Sequence, residues 1–169
     1  MSNKAASCYW CLYLDEDLRR IRAAADYQFG KGVGTKLFPE KVKISFSRRT
    51  GRIRYIYLDG KRLATMRPTD GYFSLSITAA DHIAKKARSA ECFVTVRDDV
   101  SKFIAEGNDV FATHVVKADA GIRGKDEVIV IDSKGRVLAV GRAQLSGEEM
   151  IAFKRGVAVK VRHGCADEG

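Results

Sequence analysis

Two cysteines three residues apart, in Cys8-Tyr9-Trp10-Cys11, have the spacing of half a zinc site or of a redox pair. A structural zinc needs four ligands, and the other sulfur and imidazole donors, Cys92, Cys165, His82, His114 and His163, nowhere repeat that spacing. The pair therefore reads as two packed thiols, and no metal or other cofactor is expected. Gly30-Lys31-Gly32-Val33-Gly34 has the composition of a phosphate loop, but no strand precedes it and no Gly-Lys-Ser/Thr follows. It reads as a flexible helix exit. The adjacent acids Asp98-Asp99 and Asp126-Glu127 flank predicted elements, which suits capping and solvation better than acid–base work in a pocket. His114 falls inside an apolar run, the setting of a structural histidine, and His163 stands beside Arg162 at the end of another. Ser7 and Ser101 have no histidine at a telling distance. These residues form no catalytic constellation, and an enzyme is not expected.

Charge is the stronger signal. The 169 residues carry 30 Lys+Arg against 21 Asp+Glu, a formal net charge of +9. Residues 1–91 hold 18 basic against 9 acidic side chains, and residues 92–169 hold 12 against 12, so the whole excess lies in the first half. Arg48, Arg49, Arg52 and Arg54 crowd one predicted turn, with Lys61, Arg62 and Arg67 on the next strand. The arginine fork suits phosphate. The competing reading is a solvated sheet edge whose charges block strand-to-strand aggregation. No apolar run approaches the ~20 residues that span a bilayer, and Met1-Ser2-Asn3-Lys4 leads into no signal-like stretch. A cytoplasmic protein without a membrane partner is expected. Asn3, Gln28, Asn108 and Gln144 are the only side-chain amides, as in heat-adapted proteins.

The elements that must position these groups follow from periodicity. After a lead-in over 1–14 with the aromatic cluster Tyr9, Trp10 and Tyr13, Asp15-Glu16-Asp17 reads as an acidic first helical turn. Leu18, Ile21, Ala25 and Phe29 recur at helical steps to about residue 29. Residues 41–46 alternate as a strand with one buried face. Strands over 52–58, 61–67 and 72–77 complete a meander, with Asp59-Gly60 as a two-residue hairpin turn. A helix is expected over 79–90, and residues 92–96 read as a buried strand. Val100, Phe103 and Ile104 then have helical spacing, stopped at Gly107-Asn108. Strands follow over 110–116, 127–132, 137–143 and 157–161, with a loop over 117–125.

That order resembles a known module. Glu106-Gly107-Asn108-Asp109-Val110, Gly124-Lys125-Asp126-Glu127-Val128, Leu138-Ala139-Val140-Gly141-Arg142-Ala143 and the ending Gly156-Val157-Ala158-Val159-Lys160-Val161-Arg162-His163-Gly164 are similar to the PUA domain, a β pseudo-barrel that binds structured RNA. Upstream, Asp26-Tyr27-Gln28-Phe29-Gly30, Leu37-Phe38-Pro39, Ser47-Arg48-Arg49-Thr50-Gly51-Arg52-Ile53-Arg54 and Leu63-Ala64-Thr65-Met66-Arg67-Pro68-Thr69-Asp70-Gly71 resemble the accessory domain before the PUA domain of archaeal tRNA-guanine transglycosylases and archaeosine synthases. The resemblance runs from about residue 15 to 164 and covers only that family's carboxy-terminal, RNA-docking portion. The family's chemistry sits on a separate (β/α)₈ barrel, which needs at least ~200 residues. The lyase-like Cys/Lys/His motif of the synthases is also missing, so no catalytic residue carries over.

The resemblance implies an α+β chain: an amino-terminal antiparallel sheet with helices over 1–78, a connecting helix over 79–91, a PUA-type pseudo-barrel over 92–164 and a tail over 165–169. It implies RNA contacts at Lys102, Gly107, Asn108, Val110 and Phe111, at Lys117, Ala118, Asp119, Ile122, Arg123 and Gly124, and at Arg155, Lys160 and Arg162. Arg48, Arg49, Arg52 and Arg54 would add phosphate contacts. The expected function is docking of structured RNA, foremost tRNA, in tRNA modification without catalysis. The alternatives are a docking subunit that joins a catalytic transglycosylase chain through protein contacts, and an rRNA-binding assembly factor.

Overall fold

The computed structural model describes residues 4–168, with side chains described over 15–166. The expectations for Cys8, Cys11, Tyr9, Trp10 and Tyr13 therefore lie outside the described side chains. Helix α1 spans Lys4–Phe29, so Asp15-Glu16-Asp17 sits in mid-helix and is not a first turn. There Asp15 serves an i,i+4 ion pair with Arg19 at 3.5 Å. The three- and four-residue spacing of Leu18, Ile21, Ala25 and Phe29 does mark the buried stripe of α1. The glycine run after it allows close packing. Short helix α2, Val33–Leu37, turns back onto α1, and a Cβ at Gly34 would overlap the Arg22 carbonyl oxygen. The Gly34 N–H instead donates to Asp26 Oδ1 at 2.6 Å.

The meander forms a four-stranded antiparallel sheet in the order β1 (Lys43–Phe46), β2 (Ile53–Leu58), β3 (Lys61–Met66), β4 (Phe73–Leu75). Asp59 and Gly60 both have positive φ, as the tight turn between β2 and β3 requires. The expected buried face of the first strand is only half formed. Ile44 is half-buried and Phe46 remains 44% exposed, because β1 is the outer strand of the sheet at the margin of the core. The opposite edge, β4, is closed by side chains. The Gln28 amide accepts from Phe73 N–H and donates to Phe73 C=O, at 2.7 and 2.9 Å. Glu127 and Arg162 do the same two residues on, at Leu75. An otherwise open strand edge is thereby blocked to foreign strands.

Helix α3 (Ile77–Lys86), capped by Ser76, leads into the second half. Strands β5 (Phe93–Val96), β6 (Val110–Phe111), β7 (Val115–Ala118), β8 (Glu127–Ile131), β9 (Val137–Ala143) and β10 (Val157–Gly164) form a nearly closed mixed barrel in the order β6-β10-β9-β8-β5-β7. Only β5 and β8 run parallel. Helix α4 (Ser101–Ala105) follows the first of these strands. The single strand expected over 110–116 is two strands parted by a 3₁₀ turn at Ala112–His114. Barrel closure is the reason: β6 pairs with β10 and β7 with β5, at opposite ends of the strand order, so the chain must turn a corner between them. The expected loop over 117–125 correspondingly starts two residues late. Helix α5 (Gly147–Ala152) carries a Ser146/Glu149 capping box, a signal present in the sequence but not read from it.

Strands β8 and β9 are apolar on both faces. Val128, Val130, Leu138 and Ala139 fill the barrel, while Ile129, Val137 and Val140 join the core beneath α1 and the meander. Besides the barrel interior, the two halves therefore share a second hydrophobic cluster between them.

Candidate nucleic-acid interface

Barrel closure brings α4, β6 and β10 to one side of the second half. Lys102 lies exposed on α4, and Gly107 ends that helix with φ 93°. Asn108 is exposed and donates from Nδ2 to the Phe103 carbonyl at 2.8 Å. Phe111 on β6 is 45% exposed, meets the His114 ring edge-on at 5.9 Å and pairs in register with Val157 of β10. Arg155 and Lys160, before and within β10, are exposed and make no ion pair with any described residue. Two cations, an exposed ring, an amide and a left-handed glycine thus stand along one margin, with Lys102 as a third cation. That combination meets phosphates with charge and exposed bases or riboses with a flat surface.

The other expected contacts are placed differently. Val110 and Ile122 are buried, so their side chains belong to the barrel core. Asp119 holds the start of β5 by accepting from Phe93 N–H at 2.8 Å. Lys117 and Ala118 lie on β7, while Arg123 and Gly124 are exposed in the loop that follows. Arg123 N–H donates to Asp126, which orders that loop locally. Arg162 points into the joint between the halves: its guanidinium binds the Glu127 carboxylate with both terminal nitrogens and donates to Leu75 C=O at 2.8 Å. Glu127 is 2% exposed, so the reading of Asp126-Glu127 as capping and solvation fails for Glu127. A buried carboxylate needs this partner. The other acids are structural. Hydrogen bonds from the Ser133 side chain and backbone hold Asp98 below the usual carboxylate range. Burial would raise Asp132, but hydrogen bonds from Arg136 and from Lys134 N–H outweigh it and lower its pKa. Burial pushes the Cys92 thiol far above its ordinary value, which makes it inert. Among the described residues no three metal-ligating side chains converge, and no helix is long and apolar enough to cross a membrane.

The meander arginines sit at one end of the four-stranded sheet. In an up-and-down meander alternate turns share an end, so the β1–β2 turn and the β3–β4 turn stand together. The two turns have the same hydrogen bonds. Ser47 N–H donates to Arg52 C=O and Gly51 N–H to Ser47 C=O, while Arg67 N–H donates to Tyr72 C=O and Gly71 N–H to Arg67 C=O. Between them lies a groove of about 770 Å³, lined by Arg49, Arg52 and Arg54, by Arg67 across the way and by Arg20 from α1. Arg48 is exposed on the same turn but does not line it. Arg20 was not among the expected contacts, and Arg67 was expected only with the basic side chains of the next strand. The signal that could have found them is the parity of the turns, together with the outward stripe of α1.

Residues 19–89 match the family described as the patch-forming domain C2 of tRNA-guanine transglycosylase, and residues 93–165 match the PUA domain. The chain is 41% identical over 153 residues to a tRNA-guanine(15) transglycosylase of Methanobrevibacter smithii and 42% identical over 147 residues to one of Pyrococcus abyssi. These alignments cover 90% and 87% of the chain but 23% and 25% of the relatives, so the chain spans about a quarter of their length. Two solved structures share the fold. A hypothetical protein from the hyperthermophilic archaeon Pyrococcus horikoshii has a TM-score of 0.73 at 29% identity, covering 90% of this chain and 92% of that one. A conserved PUA domain protein from Thermoplasma acidophilum has a TM-score of 0.60 at 26% identity, covering 99% and 93%.

Proposed function

We propose, for a chain that joins the patch-forming C2 domain of tRNA-guanine transglycosylase to a PUA domain, that it docks structured RNA, tRNA in particular, for modification chemistry performed elsewhere. The observation that carries this reading is the margin formed by α4, β6 and β10. There Lys102, Arg155 and Lys160 are free of ion pairs among the described residues and flank exposed Phe111. The second half is neutral overall, so it holds an RNA by shape and by 2′-hydroxyl and phosphate contacts, while the basic first half supplies long-range attraction. The shared core keeps the two surfaces in fixed relation, as one rigid docking platform requires. The chain acts in the cytoplasm and exchanges no base itself.

The test is binding of an unmodified tRNA transcript against a DNA duplex of equal length. tRNA should bind at least tenfold more tightly. Combined Lys102→Ala, Arg155→Ala and Lys160→Ala should remove most of that preference. Gly107 is a poor site for such a test, since its left-handed φ strains any side chain. Equal affinity for DNA and RNA would reduce the protein to a polycation. Base exchange into tRNA by the purified chain alone would refute the non-catalytic role.

A second reading follows from the match to only a quarter of the relatives' length: a separate chain supplies the catalytic part, and this one is its docking subunit. Co-purification of that chain, surviving ribonuclease treatment, supports it. Loss on ribonuclease treatment leaves RNA as the only link.

A further inference from the structure

The groove at the end of the meander has a form that phosphate attraction alone does not need. Five guanidinium groups reach it from three separate elements, Arg20 from α1, Arg49, Arg52 and Arg54 from one side, Arg67 from the other. Of these only Arg67 has an ion pair among the described residues, to Asp70 at 3.1 Å. Arg67 Nε is buried beside the groove without a hydrogen-bond partner among the described residues. Tyr55 also lines the groove. Its ring has the Arg54 guanidinium at 5.0 Å and that of Arg62 at 5.7 Å.

We infer that this groove takes an unpaired stretch of RNA, with consecutive phosphates on the arginines and a base laid against Tyr55. The inference rests on the RNA-binding reading above and deepens it for the first half of the chain. Three features select the occupant. One small anion would saturate one or two guanidinium forks, whereas five spread over three elements match a ligand with repeated negative charge. A duplex offers its phosphates on a convex rim and hides its base faces, whereas this surface is concave with an aromatic ring in its lining. A positive groove combined with an aromatic stacking surface is how proteins hold single-stranded nucleic acid. The volume suits one or two nucleotides, within the range of ordinary ligand sites.

Fluorescence anisotropy of the full chain with a labelled single-stranded RNA octamer tests this, with thermal melting to confirm the fold of each variant. The octamer should bind more tightly than an eight-base-pair RNA duplex. Arg49→Ala with Arg52→Ala should weaken it at least tenfold, and Tyr55→Leu roughly tenfold by loss of one stacked base. Tyr55→Phe should keep the affinity. Arg48→Ala removes an equal charge outside the groove and should cost less than threefold. Equal costs for Arg48→Ala and Arg52→Ala, indifference to Tyr55→Leu, or displacement by a polyglutamate peptide as effective as by RNA would each overturn the proposal. Failure of the octamer while tRNA still binds sinks the groove alone. Failure of both sinks the RNA-binding reading beneath it.

Discussion

The two halves of this molecule differ in what their charges are matched to. In the second half basic and acidic side chains are equal in number, and two carboxylates are buried on arginines of the same half, Asp132 on Arg136 and Glu127 on Arg162. In the first half the acids are half as numerous, and Arg20, Arg49, Arg52 and Arg54 are left without an ion pair to any described residue at one end of the sheet. A charge matched within the fold adds structure and little long-range field; an unmatched one is available to a ligand. On the proposed reading, charge count per domain is a poor guide to where RNA is read, and a better guide to where it is first attracted.

The largest expected effect falls on the joint between the halves. Arg162→Ala takes the paired cation from the buried Glu127 carboxylate, which keeps only the Leu75 N–H of the donors described above, and frees the Leu75 C=O. It should cost about 3 kcal/mol, or roughly 6–12 °C in Tm for a chain of this size, with little change in the salt dependence of RNA binding. Glu127→Gln with Arg162→Met should recover part of the loss. A Tm unchanged in Arg162→Ala would mean that the halves are held by their apolar core alone.

Next in size is the salt response. Counterion release lowers log affinity linearly with log salt, by roughly 0.7–0.9 per phosphate neutralised. Replacing Arg49, Arg52 and Arg54 together by Ala should flatten the slope for tRNA by about two to three units. Each change should cost about half a kcal/mol of stability or less. Titration at several salt concentrations checks this, and an unchanged slope would make the arginines a solvated edge after all.

A smaller effect sharpens the picture of the barrel. Ser146→Ala breaks the capping box of α5 and should cost about 1 kcal/mol by thermal or denaturant unfolding, without altering RNA preference.

The smallest effect is a pH dependence from the first half. Burial, then Lys86 and Lys85, lower the pKa of His82, whose Nδ1 has no partner among the described residues. The fold favours neutral imidazole, so the unfolded chain takes up the proton first. Stability should therefore be level above about pH 7 and fall by a few tenths of a kcal/mol as the pH drops through the ordinary histidine range near 6.5. His82→Gln should remove that slope. A slope of opposite sign would mean that His82 is charged in the fold.

Much of this was legible along the chain because the responsible physics is local. The stripe Leu18-Ile21-Ala25-Phe29 predicts its own buried face, Asp59-Gly60 its tight turn, and Gly107 the end of α4. The arginine cluster at 48–54 was visible for the same reason, since neighbours on one turn remain neighbours in space. Resemblance supplied the PUA order and its margin, Lys102, Asn108, Phe111, Arg155 and Lys160. It gave no sign that Arg162 has partners 35 and 87 residues away, or that the barrel encloses Val110 and Ile122.

By itself, then, the sequence determined the helices, the turns, most strands, and the uneven charge, because periodicity and turn chemistry act within a few residues. Only the tertiary structure decided that residues 110–116 break at a corner, since that depends on which strand each half of the segment pairs with. It alone turned Glu127 inward and coupled it to Arg162 across the joint. And it alone set Arg20, Arg67 and Tyr55 around the arginines of a different turn. Such pairings carry no mark in residue spacing: their stability comes from burial and hydrogen bonds between segments far apart in the chain, which exist only once the common core has closed.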